Sequence, residues 1–266
     1  LLRDAQHLVR ATHGAQRRDA NAILAETFSL SQFYLAYQPA PDLLWRVAER
    51  AMIAAQESEE PTAVAGAAWL LAQAHRDAGD WDAADHVNLG ALRILEPLEP
   101  TGGVPLRAIT GALYFEAAYT AAKAGSSGSA WHYWDKAKRI ADSLPVTYYH
   151  PMTSFSRIIM GVHAVTVEVE LRKGSESVRV ARRTHSELIP SHPRRGRHLI
   201  EVARAYHLDN DMDSALHTLE DAHAAAPETI RYNGYARRIV LELLEARTAP
   251  LRHRAELLAD KVGLLD

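Results

Sequence analysis

Three pairs of alanines lie seven residues apart, and a proline follows each pair: Ala84 and Ala91 before Pro97, Ala130 and Ala137 before Pro145, Ala215 and Ala222 before Pro227. Seven residues is two helical turns, so each pair marks one face of a helix. Small side chains there let a second helix approach to roughly 8–10 Å, while larger neighbours fill the grooves. A residue suited to a tight turn stands before each pair: Gly79, Gly125 and Asn210. Upstream of each turn another helical face is legible, with Leu71, Ala72 and His75, then Tyr114, Ala117 and Ala118, then Val202, Ala203 and Tyr206. The unit is therefore helix, turn, helix, proline. One such hairpin cannot bury its apolar face alone, so successive hairpins must stack.

A fourth unit spans 160–190, with Gly174 at its turn, Pro190 at its end and its small residue displaced to Ala181. A fainter fifth spans 25–57, where Leu44, Ala48 and Ala51 mark the second helix. Breaks rich in Pro and Gly separate the units: "EEPT" at 59–62, "EPLEPTGGVP" at 96–105, "LPVTYYHP" at 144–151, "IPSHPRRG" at 189–196, "APE" at 226–228 and "APL" at 249–251. Between them Ala, Leu, Arg and Glu dominate, all strong helix formers. The expected fold is all-α, a tetratricopeptide-like α-α superhelix (a helical solenoid) of about ten to twelve helices. It fills 1–266 as a single domain of about five helix pairs and a C-terminal cap.

Composition narrows the function. The absence of cysteine excludes a disulfide scaffold and thiolate chemistry. A net charge of −3 does not suit a protein that grips a phosphate backbone by itself. The most apolar run, "IIMGVHAVTV" at 158–167, is too short to cross a bilayer. With no signal peptide legible, the chain reads as soluble and cytoplasmic. It opens on "LLRDAQHLVR", already in helical register and without Met, which reads as a piece of something longer.

The 65–97 and 195–227 units resemble the tetratricopeptide repeat and match most of its positions: an aromatic or large residue, Leu, Gly or Ala, Tyr, a turn Gly or Asn, an aromatic, two spaced alanines and a Pro. Over 155–266, the runs "FSRIIMGVHAVTVEVELRKG", "IPSHPRRGRHLIEVARAY", "APETIRYNGYARRIVLELLEA" and "ELLADKVGLLD" resemble the C-terminal half of actinobacterial helix-turn-helix regulators of the Cro/repressor type. That resemblance implies an effector-binding and dimerisation domain that contacts DNA only through a helix-turn-helix module upstream of Leu1.

Several motifs compete for attention. In "DNDMDSALHTLE", Asp209, Asp211, Asp213 and Glu220 fall at positions 1, 3, 5 and 12 of a calcium loop, but Ser214 stands where the loop needs Gly. The repeat explains the same residues as a helix start. The 14 histidines show no pairing with metal-ligand spacing, and His163 in its apolar helix reads as a hydrogen-bonded core residue. "AGSSGSAW" at 124–131 lacks the Lys-Ser/Thr ending of a phosphate loop and reads as a turn between paired helices. "HPRRGRH" at 192–198 could grip a phosphate at a helix start, but a solvated loop is the preferred reading. No nucleophile motif is present, no enzyme is expected, and neither metal nor cofactor is implied.

The first helix of each pair lines the inner surface of a solenoid. The repeat register places Phe33 and Tyr37 there from the faint unit, then Trp69, Gln73 and Arg76, then Phe115, Tyr119 and Lys123, and finally Glu168, Arg172, Arg204 and His207. Such a mixture of aromatic and cationic side chains suits an extended peptide or a carboxylate-bearing small molecule. The expected partners are thus a peptide or small-molecule effector and a second copy of the chain in a homodimer, with no membrane. The alternative is a scaffold that docks a partner protein without sensing a ligand, and a third reading is a calcium-switched sensor.

Overall fold

The structure, a computed structural model, describes residues 1–35, 38, 40–99 and 101–265. It is all-α, with no strand among the described residues. Two compact units divide the chain, Leu1–Arg157 and Ile158–Asp266.

In the first unit α1 (Leu2–Ala11) precedes three hairpins: α2 (Gly14–Leu35) with α3 (Pro41–Ser58), α4 (Pro61–Asp77) with α5 (Trp81–Leu95), and α6 (Val104–Lys123) with α7 (Ser127–Ser143). The first helices α2, α4 and α6 are neighbours, and each second helix also touches the first helix of the next hairpin. In the second unit α8 (Ile159–Glu170) pairs with α9 (Gly174–Ala181), and α10 (His192–Leu208) with α11 (Met212–Ala225). The short α12 (Pro227–Tyr232) then leads into a last hairpin, α13 (Gly234–Leu244) with α14 (Ala249–Lys261). Here α8, α10 and α13 form the layer of first helices. Fourteen α-helices stand among the described residues, more than the repeat predicts, because α1 and α12 lie outside it.

Four hairpins close with the same turn. Gly79, Gly125, Arg172 and Asn210 take left-handed backbone, with φ of 84°, 77°, 61° and 61°. The next residue's N–H then donates to the carbonyl five positions back: Asp80 to His75 (2.9 Å), Ser126 to Ala121 (2.8 Å), Lys173 to Glu168 (3.1 Å) and Asp211 to Tyr206 (2.9 Å). This satisfies carbonyls that the end of a helix leaves open. Asp80 and Asp211 cap the following helix, accepting from the N–H of Ala83 (3.2 Å) and of Ser214 (3.1 Å). The turn of the 160–190 unit thus falls on Arg172, two residues before Gly174. Gly174 serves packing instead: a Cβ there would meet the Leu208 carbonyl at 2.9 Å.

The repeated alanines do what their spacing requires. Ala84, Ala91, Ala130, Ala137, Ala215 and Ala222 are all buried against their paired helices. The first unit has a core around Phe28, Val47, Ala51 and Ala55. The second has one around Val165, Val169 and Val178 and another around Ile200, Leu216, Leu219, Ile239 and Leu258. "HPRRGRH" departs from expectation. Ser191 accepts from the Arg194 N–H, Pro193 sits in the first turn, and the whole run is the start of α10. Arg195 reaches back to the carbonyls of Ile189 and Glu187, and His198 is buried.

After α7, residues 144–157 fold back over the first-helix layer of their own unit. Phe155 is fully buried with its ring against Gly111 of α6, and Met152 lies against Gly66 of α4. A Cβ at 111 would come within 2.3 Å of two Phe155 ring carbons. Overpacking of this kind costs about 1–3 kcal/mol. Gly111→Val is expected to lower the thermal midpoint measurably, and an unchanged midpoint would show that the segment is free to lift off.

Candidate functional site

The first-helix layer of the first unit brings most of the predicted groove residues together. Gly66, Trp69, Gln73 and Arg76 recur at helical spacing along α4, and Gly111, Phe115, Tyr119 and Lys123 along α6. Phe33 of α2 meets Trp69 of α4 with ring centroids 6.3 Å apart. Phe115 stacks on Tyr119 at 6.1 Å. Gln73 is half-buried, and its amide nitrogen has no hydrogen-bond partner among the described residues. Tyr37 lies outside the described residues.

The charged members neutralise one another. Arg76 is 5% exposed and forms an ion pair with Glu116, which is 3% exposed. Its Nε lies 3.2 Å from the Asp77 carboxylate, and its guanidinium covers the Tyr119 ring at 4.0 Å. Asp77 in turn meets Lys123 at 3.6 Å, and the Lys123 ammonium stands 5.8 Å from the same ring. A buried guanidinium with two carboxylates and an aromatic face is satisfied, so Arg76 acts as the support beneath the strip. Glu116 escaped the sequence reading. Its position, four residues before Thr120 on a helix buried nearly all round, carries no amphipathic signal.

The segment 144–157 closes one end of the strip. Met152 and Phe155 occupy the faces of Gly66 and Gly111, one turn before Trp69 and Phe115. The two glycines were the available signal: on a face of aromatic and polar side chains, a missing Cβ makes room for something. Beyond the other edge, α2 leaves apolar side chains in solvent. Leu30 is 62% exposed, Tyr34 66% and Phe33 37%. These three share one flank of the helix.

The predicted residues of the second unit are engaged in structural pairs. Arg204 binds Glu170 at 2.8 Å and Glu201 at 2.6 Å, with its guanidinium 3.7 Å over the Tyr235 ring. Glu168 faces Lys173 at 3.5 Å, and His207 bonds Glu242 at 2.7 Å. Arg172 is exposed at the turn after α8. The aspartates of the calcium-like run are also in use: Asp209 accepts from Ser175 (2.6 Å), Asp211 caps α11, and Arg254 bridges Asp213 and Glu220 at 2.7 Å each. His163 is buried, with Nδ1 3.3 Å from an Arg194 guanidinium nitrogen.

Fold and strip together define an all-α protein of stacked helical hairpins whose first helices carry an aromatic strip on buried ion pairs. Among solved structures the chain is similar to BtubC (BKLC) from P. vanneervenii, at 14% identity over 87% of this chain and 89% of that one, with a TM-score of 0.53. That likeness is one of fold. No family model matches the chain. No curated protein matches it either. No helix among the described residues is long and apolar enough to cross a membrane.

Proposed function

We propose that this chain is a tetratricopeptide-like binding domain, the effector-binding and dimerisation part of an actinobacterial helix-turn-helix regulator. The observation that carries the binding role is the exposed flank of α2. Leu30, Phe33 and Tyr34 stand in solvent beside Trp69, on a layer whose other aromatics are buried. Grouped exposed apolar side chains of this kind mark interaction surfaces. The regulatory role is supported by the resemblance of 155–266 and by the repeat architecture, which changes curvature through small rotations between hairpins. An effector seated on the strip favours one arrangement of the hairpins and thereby sets the spacing of two DNA-reading modules in a dimer. The effector is a peptide or small molecule. Phe33, Trp69, Gln73 and Lys123 form its contacts together with Leu30 and Tyr34 at the rim, and Arg76 holds the floor in place.

The dimer uses the hairpin of α13 and α14, where Leu241 and Leu257 are half exposed. Light scattering after size exclusion is expected to give a dimer for the natural chain and a monomer for Leu241→Asp/Leu257→Asp. Native mass spectrometry tests the binding role. The natural chain retains a ligand that Leu30→Ser/Tyr34→Ser loses, and neither substitution touches the core. Equal retention by both rejects the strip as the site.

The scaffold reading is favoured by one feature: Ile23, Leu30 and Tyr34 continue the exposed apolar flank along α2, a length that suits a partner helix. A retained polypeptide in the same mass spectra, with no small molecule, selects that reading.

A further inference from the structure

A second site lies on the other side of α2. A cleft of about 580 Å³ opens between α1, α2 and α3, a size typical of pockets for small organic molecules. Its apolar wall comes from Leu24, Phe28 and Ala54. Arg10 of α1 and Arg46 and Arg50 of α3 surround it, and the last two, four residues apart, share one helix face. Among the described residues none of these three arginines takes part in an ion pair, although Glu49 and Glu57 line the same cleft. Asn21, 2% exposed, also lines it, and its side-chain oxygen Oδ1 has no hydrogen-bond partner among the described residues.

These features specify a ligand. A buried amide oxygen without a partner costs roughly 1–3 kcal/mol, so it calls for an N–H or O–H donor. Unpaired guanidinium groups call for an anion, and their forked donors fit a carboxylate. A phosphomonoester dianion fits less well: its phosphate group brings no donor to Asn21, and its second negative charge is repelled by Glu49 and Glu57. We propose that this cleft binds an N-acylated amino acid or the equivalent end of a peptide, with its carboxylate on Arg46 and Arg50. The amide N–H then donates to Asn21 Oδ1, and an apolar side chain lies on Leu24, Phe28 and Ala54. The site is separate from the aromatic strip and does not depend on it.

Calorimetric titration of the chain with N-acetyl-L-leucine and with the acetylated tripeptide Ala-Ala-Leu tests this. Saturable binding of either probe is expected. Binding of the tripeptide alone identifies a polypeptide C-terminus as the natural source, and binding of both a free metabolite. Two analogues remove one contact each, the methyl ester of N-acetyl-L-leucine and its N-methyl amide-nitrogen derivative. Each should bind about tenfold or more weakly, the value of one charge-assisted or buried hydrogen bond. Arg46→Ala/Arg50→Ala, both at exposed positions, should weaken the parent probe by a similar factor with an unchanged unfolding midpoint. No saturable heat from either probe at about 10 mM overturns the proposal. So does equal binding by the arginine variant, or equal binding of the ester and the acid.

Discussion

Glu116→Ala is expected to destabilise the chain by about 3–5 kcal/mol, the cost of leaving a buried charge without its partner. Arg76 and Glu116 are almost fully excluded from solvent, and the guanidinium would keep only the edge contact with Asp77 and the Tyr119 ring. The measurement is the urea midpoint at constant slope, since a change in slope would report a different unfolded or native state. The double variant Arg76→Met/Glu116→Leu removes both charges and replaces them with apolar side chains of similar volume. It should recover most of the loss, because an apolar pair in that place avoids desolvating either ion. A single variant within about 1 kcal/mol of the parent would mean that Arg76 reaches water, and the strip would then have a free cation beneath it. The prediction therefore bears on function: it separates Arg76 as support from Arg76 as a ligand contact.

Acid is expected to weaken the second unit through His163 and His198. Both are buried, and both approach the Arg194 guanidinium. Burial, then that positive charge, holds the His198 imidazole down to about 4. Burial first, then Arg194, then His198 pushes His163 well below the ordinary histidine value. In the unfolded chain both take up a proton near pH 6.5. Between about pH 6.5 and 4 the unfolded state therefore binds more protons than the folded one, and stability falls as pH falls. For His198 the full loss is about 3 kcal/mol, complete near pH 4, and His163 adds to it in the same direction. Above pH 7 neither contributes. Urea unfolding at pH 7.5 and 4.5 should show a larger loss for the natural chain than for His163→Leu/His198→Phe, in which nothing titrates at these sites. Parallel losses would place the acid sensitivity in the carboxylates instead.

Much of the architecture could be read before any coordinates. The alanine pairs at seven-residue spacing located α5, α7 and α11, because only a small side chain allows close helix approach, whatever surrounds it. Gly79, Gly125 and Asn210 located three turns, because left-handed backbone favours those residues. Arg172 escaped for the same reason: a non-glycine residue at φ 61° leaves no mark in the sequence. The charge of "HPRRGRH" points to a loop, yet the run is helix, since Ser191 and Pro193 start α10 and local capping outweighs composition.

The functional surface was less legible. In the first unit Phe33 meets Trp69, and Arg76, Phe115 and Lys123 converge on Tyr119. The register could not show that Glu116 and Asp77 neutralise the cations, or that Met152 and Phe155 fill the space above Gly66 and Gly111. It gave no hint of the cleft around Asn21. The sequence alone determined that this chain folds as stacked helical hairpins, because helix periodicity, turn chemistry and small-residue spacing are local or nearly so. Only the tertiary structure decided which polar side chains are satisfied and which are left open, because a partner for a buried charge comes from a different helix at a distance in sequence that no local pattern encodes.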